Sequence, residues 1–217
     1  MKTDYTDSDQ SSYRQIFKAT SIFGGVQAFN ILISLVRGKV LAVLIGTAGM
    51  GLNGLLMSSL GFIQKVSGLG ISESAIRDIS AASYSKDTQR IRYVYTVFKR
   101  WIWITAIIGV VLTVSLSPLL SKLAFNNDRH TISFVFLSTT FIFGALTGGI
   151  YTLLRGIRRI KDLARANISG SIAGLLAAVP IFYFYGIEGV VPAIIATSFF
   201  TYLVSIYFRK KVDVKSI

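Results

Sequence analysis

Arg37 and Lys39 stand inside a largely apolar stretch, residues 19–76, whose other charged residues are Lys65 and Glu73. A cation embedded in such surroundings faces a bundle interior or a watery cavity, where it can hold an anion. Gln27, Asn30 and Ser34 precede Arg37 at spacings of three, four and three residues, which on an α-helix sets all four side chains on one stripe. A polar stripe on an apolar helix is the expected wall of an aqueous cavity; the plainer reading is that these groups bond to neighbouring helices, as amides and hydroxyls do in membranes. Lys39, two residues further on, points about 200° away round the helix. The two cations therefore do not share one narrow cleft.

Catalytic groups are scarce. The acids are Asp4, Asp7, Asp9, Glu73, Asp78, Asp87, Asp128, Asp162, Glu188 and Asp213, and the span map below puts none at mid-membrane. His130 is the single histidine, in a short connection beside Asp128 and Arg129, and there is no cysteine. An intramembrane hydrolase or transferase needs a carboxylate, a histidine or a positioned nucleophile at depth. No enzyme is expected, and neither is a metal centre or a cofactor, since ligand clusters and phosphate-cradling glycine loops are missing.

The elements that position these residues follow from composition. Over 217 residues, 52% are hydrophobic and 15% charged, with a mean hydropathy of +0.59. That lies outside the range of water-soluble domains. The net charge of +13 falls in short blocks between apolar stretches, which is a membrane pattern and argues against a nucleic-acid partner. Residues 1–18 lack the apolar core of a secretory signal, so no processing is expected.

Stretches of about 20 apolar residues are long enough to cross the hydrocarbon, and they predict an all-α membrane protein of six spans at about 19–45, 52–71, 101–123, 131–154, 166–185 and 190–208. Residues 1–18 form a cytoplasmic amino-terminal segment and 209–217 a basic cytoplasmic tail. Between 19 and 76 two partitions compete: a short first helix ending at Val36 with a turn at Arg37-Gly38-Lys39, or a long one, 19–45, with its turn at 46–51. The second is favoured because Gly46, Gly49 and Gly51 punctuate the chain better than Arg-Gly-Lys. It places Arg37 nine residues from Gly46, roughly 13 Å inside the helix end. Ser72 to Arg100 is too polar to span. With Ile76, Ile79, Ile91, Val94 and Val97 at near-helical intervals, it reads as an amphipathic elbow, 72–100, on the cytoplasmic lipid surface. Pro118, Pro180 and Pro192 fall inside spans, where proline bends a helix. Nineteen of the 23 basic residues sit in the first segment, the second and fourth connections and the tail. Both termini are therefore expected in the cytoplasm.

The run Arg37-Gly38-Lys39-Val40-Leu41-Ala42, followed by Leu44-Ile45-Gly46-Thr47-Ala48-Gly49-Met50-Gly51-Leu52 and then Gly68-Leu69-Gly70-Ile71, resembles the amino-terminal region of Wzx-type polysaccharide (O-antigen) flippases. These belong to the multidrug/oligosaccharidyl-lipid/polysaccharide exporter superfamily. The likeness extends over essentially the whole chain through short apolar motifs. It implies a bacterial inner-membrane carrier that moves an undecaprenyl-diphosphate-linked oligosaccharide outward by alternating access. Arg37, with Lys39, would attract the diphosphate, while Gln27, Asn30 and Ser34 would meet sugar hydroxyls. Such carriers usually join two six-helix lobes around a central cavity, and this chain supplies one. Its partners would be membrane lipids, the lipid-linked oligosaccharide, and a second lobe or a second copy of itself. Two other readings stand beside this one: a drug or metabolite exporter lobe of the same superfamily, for which the basic stripe is a poor fit, and a non-transporting membrane scaffold of polysaccharide assembly.

Overall fold

The computed structural model describes residues 4–68, 70–85 and 88–211, with side chains from residue 20 onward except 22, 23 and 88. Helix dominates and no strand occurs among the described residues. The elements are α1 (Asp4–Gly68), α2 (Ile71–Tyr84), α3 (Thr88–Ser115), α4 (Ser117–Phe125), α5 (Thr131–Leu137), α6 (Thr139–Gly156), α7 (Ile160–Tyr185) and α8 (Val190–Lys211), with a 3-10 turn at Gly186–Gly189 joining the last two. Four stretches are long and apolar enough to cross a membrane: Gly24–Gly68, Gln89–Ser115, Thr131–Gly156 and Ile160–Lys211. The chain is a multi-pass membrane protein by that criterion.

α1 is two helices joined at one residue. Gly46 has φ 67 and ψ −172, a backbone region that is essentially glycine's alone. Before it, rising numbers on α1 track rising numbers on α7: Asn30 bonds to Asn167, and Ile45 packs with Phe182. After it they track α6, since Leu60 lies with Phe141 and Ser67 shares a recess with Gly148. α6 runs alongside α8, with Phe143 against Phe199 and Tyr202. α7 opposes α8, because Gly174 meets Thr197 and Gly170 meets Thr201. It follows that the two halves of α1 are antiparallel, folded back at Gly46.

Three apolar cores result, one of them Ala75, Phe98 and Ile102 where α2 and α3 meet α6. Another gathers Leu41, Ile45, Leu56, Phe134, Leu137, Phe182 and Val190 at the Gly46 end. The third gathers Ile150, Leu154, Leu163, Ala166 and Phe208 at the opposite end. Large apolar side chains also cover the outside, for example Val43 at 75% exposed and Phe184 at 77%. A soluble protein rarely exposes so much, whereas lipid is a good solvent for it.

Several expected boundaries differ. The turn at 46–51 contracts to Gly46, and helix resumes through Thr47 to Gly68, because one glycine in that conformation suffices to reverse the chain. Helix also begins at Asp4 rather than 19. The stretch 101–123 is interrupted at Leu116, and Pro118 sits in the first turn of α4, where its missing N–H costs nothing. Pro180 lies inside α7 as expected. The elbow 72–100 is a helical hairpin of α2 and the start of α3, but its apolar face turns into the protein. Ile79 is fully buried, Ile91 nearly so, and a Cβ on Gly156 would lie 2.5 Å from Ile79. The tail beyond Lys211 lies outside the described residues.

Candidate functional site: a cationic recess between α1, α7 and α8

The stripe foreseen on α1 continues past Arg37 at spacings of four to Leu41 and Ile45, and both of these are core residues. Their burial fixes which way the stripe faces. Asn30, Ser34 and Arg37 accordingly lie on the side of α1 toward α7 and α8, and Gln27 on the side toward α6 and α7, with Gln27 and Ser34 keeping exposed surface. Asn30, Ser34 and Arg37 line a recess of about 240 Å³ together with Asn167 and Ser171 of α7, Thr197 and Thr201 of α8, and the apolar Ile33 and Leu175.

The wall opposite α1 is built by close approach. Thr197 Oγ1 donates to the Gly174 carbonyl and Thr201 Oγ1 to the Gly170 carbonyl, each at 3.2 Å. A Cβ on Gly174 would fall 2.7 Å from Thr197 Cγ2, and one on Gly170 would fall 3.1 Å from Thr201 Cγ2. The two glycines thus set the α7–α8 spacing, and the threonines spend their hydroxyl protons on that joint while their oxygens keep lone pairs toward the recess.

α1 is tied across the recess floor. Asn30 Nδ2 donates to Asn167 Oδ1 at 2.8 Å, and Ser171 Oγ donates to Asn30 Oδ1 at 3.4 Å. Arg37 is different: its Nε and Nη2 atoms are buried and find no hydrogen-bond partner on the protein. No acidic side chain lines the recess. A guanidinium presents five donors in a fork matched to carboxylate and phosphate oxygens. Arg37 as a whole is half-buried, and a buried donor left without a partner costs about 1–3 kcal/mol. The arrangement sets an arginine fork where a carboxylate or phosphate could be held.

Gln27 faces an adjoining recess of about 120 Å³, lined also by Val26, Asn30, Arg155, Ile160, Leu163, Ala164 and Asn167. Lys39 is exposed and lines neither recess, in keeping with its 200° offset from Arg37. Of the five residues on α1 singled out in the sequence, the fold brings Asn30, Ser34 and Arg37 together, sets Gln27 next door and turns Lys39 away.

Asn167, Ser171, Thr197, Thr201 and Arg155 were not foreseen. A signal was present: Asn167 and Ser171 are four apart, Thr197 and Thr201 are four apart, and the stripe rule that selected Asn30 and Ser34 selects them too. Two further hollows among the described residues have no cation in their lining. A groove of about 390 Å³ between α2 and α3 is lined by Ile71, Ser74, Ala75, Asp78, Tyr93, Val94, Val97, Phe98 and Trp101. Another, of about 230 Å³, holds Gln64, Ser67, Ser72 and Thr105 as its polar lining. Among the described residues no three of His, Cys, Asp and Glu gather closely enough to hold a metal ion.

No protein-family model, curated protein or solved structure matches this chain.

Proposed function

We propose that this chain is one six-span lobe of a membrane carrier that binds the diphosphate of a lipid-linked oligosaccharide at Arg37 and moves it outward across the bacterial inner membrane. The six spans comprise the two arms of α1, α3 with α4, α5 with α6, α7, and α8. The termini lie on the cytoplasmic side, where the basic residues of α2, the start of α3, the α6–α7 connection and the end of α8 gather. The resemblance to Wzx-type flippases supplies the class of cargo.

One observation carries the reading: a guanidinium with two buried, unpartnered nitrogens in a recess otherwise walled by amides and hydroxyls. Diphosphate oxygens supply the acceptors that Arg37 lacks. Asn30, Ser34, Asn167 and Ser171 are of the right chemistry for sugar hydroxyls, which both donate and accept. A cationic drug would meet only repulsion there, so an exporter lobe for such compounds fits less well. A scaffold gains nothing from an unpaired charge at this depth.

The test uses the cysteine-free chain with Ser34→Cys as reporter in inverted membrane vesicles. Undecaprenyl-diphosphate oligosaccharide is expected to protect the thiol from a membrane-impermeant reagent, and adding Arg37→Gln is expected to abolish that protection. A thiol that is unprotected in the parent, or equally protected with Arg37→Gln, overturns the proposal.

A further inference from the structure

The two recesses on either side of Asn30 share a wall. Asn30 and Asn167 line both, the larger with Arg37 and the smaller with Arg155. The two shared residues are joined by a side-chain hydrogen bond, Asn30 Nδ2 to Asn167 Oδ1 at 2.8 Å, and Ser171 Oγ also donates to Asn30. On one side of that bond is a cation without a partner at depth. On the other is Arg155 in the last turn of α6, exposed to solvent.

Arg155 is free to act. Its neighbour Arg159 is held by Asp162 at 3.6 Å, whereas no ion pair among the described residues engages Arg155. Arg158 holds a left-handed backbone, φ 57, so the chain turns sharply there and leads straight into α7, whose first residues Ile160, Leu163 and Ala164 complete the smaller recess. At about 120 Å³ it has room for a phosphate group with some water.

We propose that the smaller recess is an entry site for a phosphate-bearing headgroup, held first by Arg155, and that the Asn30–Asn167 pair is the gate the headgroup must open to reach Arg37. This rests on Arg37 as the anion site, and it adds where the ligand comes from and what it displaces. The gate chemistry suits the task. An amide–amide bond is closed when nothing competes for it, and both amides can transfer their donors to phosphate or sugar oxygens as the ligand passes, so no polar group is left bare midway. Two guanidinium groups on opposite sides of one polar joint give an anion a favourable position before and after the step.

The experiment reads the Ser34→Cys thiol in inverted vesicles with two reagents of opposite charge, the sulfonate-bearing and the trimethylammonium-bearing methanethiosulfonates, added without any lipid ligand. Asn167→Ala is expected to raise the labelling rate of both by roughly threefold to tenfold, the range for loss of an interhelical hydrogen bond in a membrane protein. Arg155→Gln is expected to lower the sulfonate rate relative to the trimethylammonium rate by a similar factor with the gate residues intact. Labelling rates indifferent to Asn167→Ala, or a sulfonate-to-trimethylammonium ratio indifferent to Arg155→Gln, overturn the proposal. Asn167→Leu, which removes the oxygen that accepts from Asn30 and keeps the bulk, serves as the second variant should Asn167→Ala fail to insert; it too is expected to speed both reagents. Failure of the Arg37 reading is a separate result, since protection by lipid diphosphate would then be missing while both rate effects remained.

Discussion

The apolar portions of the two arms of α1, 24–45 and 47–68, match in length, yet they present different stripes to the bundle. The arm after Gly46 buries Leu56, Leu60, Ile63 and Ser67, at spacings of four, three and four, an apolar ridge ending in one hydroxyl. The arm before it presents Gln27, Asn30, Ser34 and Arg37 along the corresponding line and becomes apolar only at Leu41 and Ile45. One arm is scaffold throughout; the other is scaffold near Gly46 and cavity wall beyond. Packing energy is concentrated in the first and forgone in the second, which is the pattern of a site that gives up stability for binding. The comparison predicts that substitutions in the two arms have effects of opposite sign.

The largest effect is expected at Leu56, which is fully buried among Phe134, Phe182 and Ile45's neighbours. Leu56→Ala should lower stability by about 2–5 kcal/mol through the cavity it leaves, read by thermal unfolding in detergent, while Ser34→Cys labelling in membranes keeps its ligand protection. Arg37→Leu should do the reverse. Replacing the half-buried guanidinium, two of whose nitrogens lack partners, by an apolar side chain is expected to raise stability by about 1–3 kcal/mol, the penalty of an unsatisfied buried polar group, and to eliminate protection. A destabilised Arg37→Leu protein would show that the guanidinium is already satisfied, and the contrast between the arms would collapse.

How far this contrast was legible beforehand varies by element. The stripe on α1 was readable because helical periodicity is strong in an apolar background. Gly46 was among three glycines, and nothing local says which of them takes a positive φ; the choice is made by Leu41 and Ile45 on one side and Leu56 on the other meeting in one core. The inward turn of Ile79 and Ile91 was misjudged for a related reason. An amphipathic helix reads the same whether lipid or protein covers it, and only Gly156, far away in sequence, provides the flat surface against which Ile79 lies. The partners of Asn30 were hidden in the same way: Asn167 is 137 residues distant.

Gly46 itself supplies the next test. A Cβ there would meet nothing within 4 Å, so Gly46→Ala isolates backbone conformation from packing. The substitution is expected to cost about 1–3 kcal/mol, the strain of a non-glycine residue in that region, measured by the same unfolding assay. Gly51→Ala, equally free of contacts but helical, should instead be neutral or stabilising by up to about 1 kcal/mol, because alanine is the better helix former. If both behave alike, the hinge is not confined to one residue, and the arms are joined by a longer turn.

The smallest effect is expected at the joint between the cavity arm and α7. Asn167→Ala deletes one hydrogen bond to Asn30 and leaves Asn30 with Ser171 alone. Interhelical bonds in membrane proteins average about 0.6 kcal/mol and reach about 1.7, so unfolding should shift by that little. Ser67→Ala at the end of the scaffold arm removes a hydroxyl that bonds only to its own helix, at the Gln64 carbonyl and 3.4 Å, and should shift it less still. The informative quantity is the ratio of function to stability. Asn167→Ala should change access to Ser34 several-fold for a stability loss near the noise of the assay, whereas no change in the scaffold arm should alter access without first costing stability. Should Ser67→Ala open the Arg37 recess as readily as Asn167→Ala does, the division of labour between the two arms fails, and the cavity wall must be sought on both sides of Gly46.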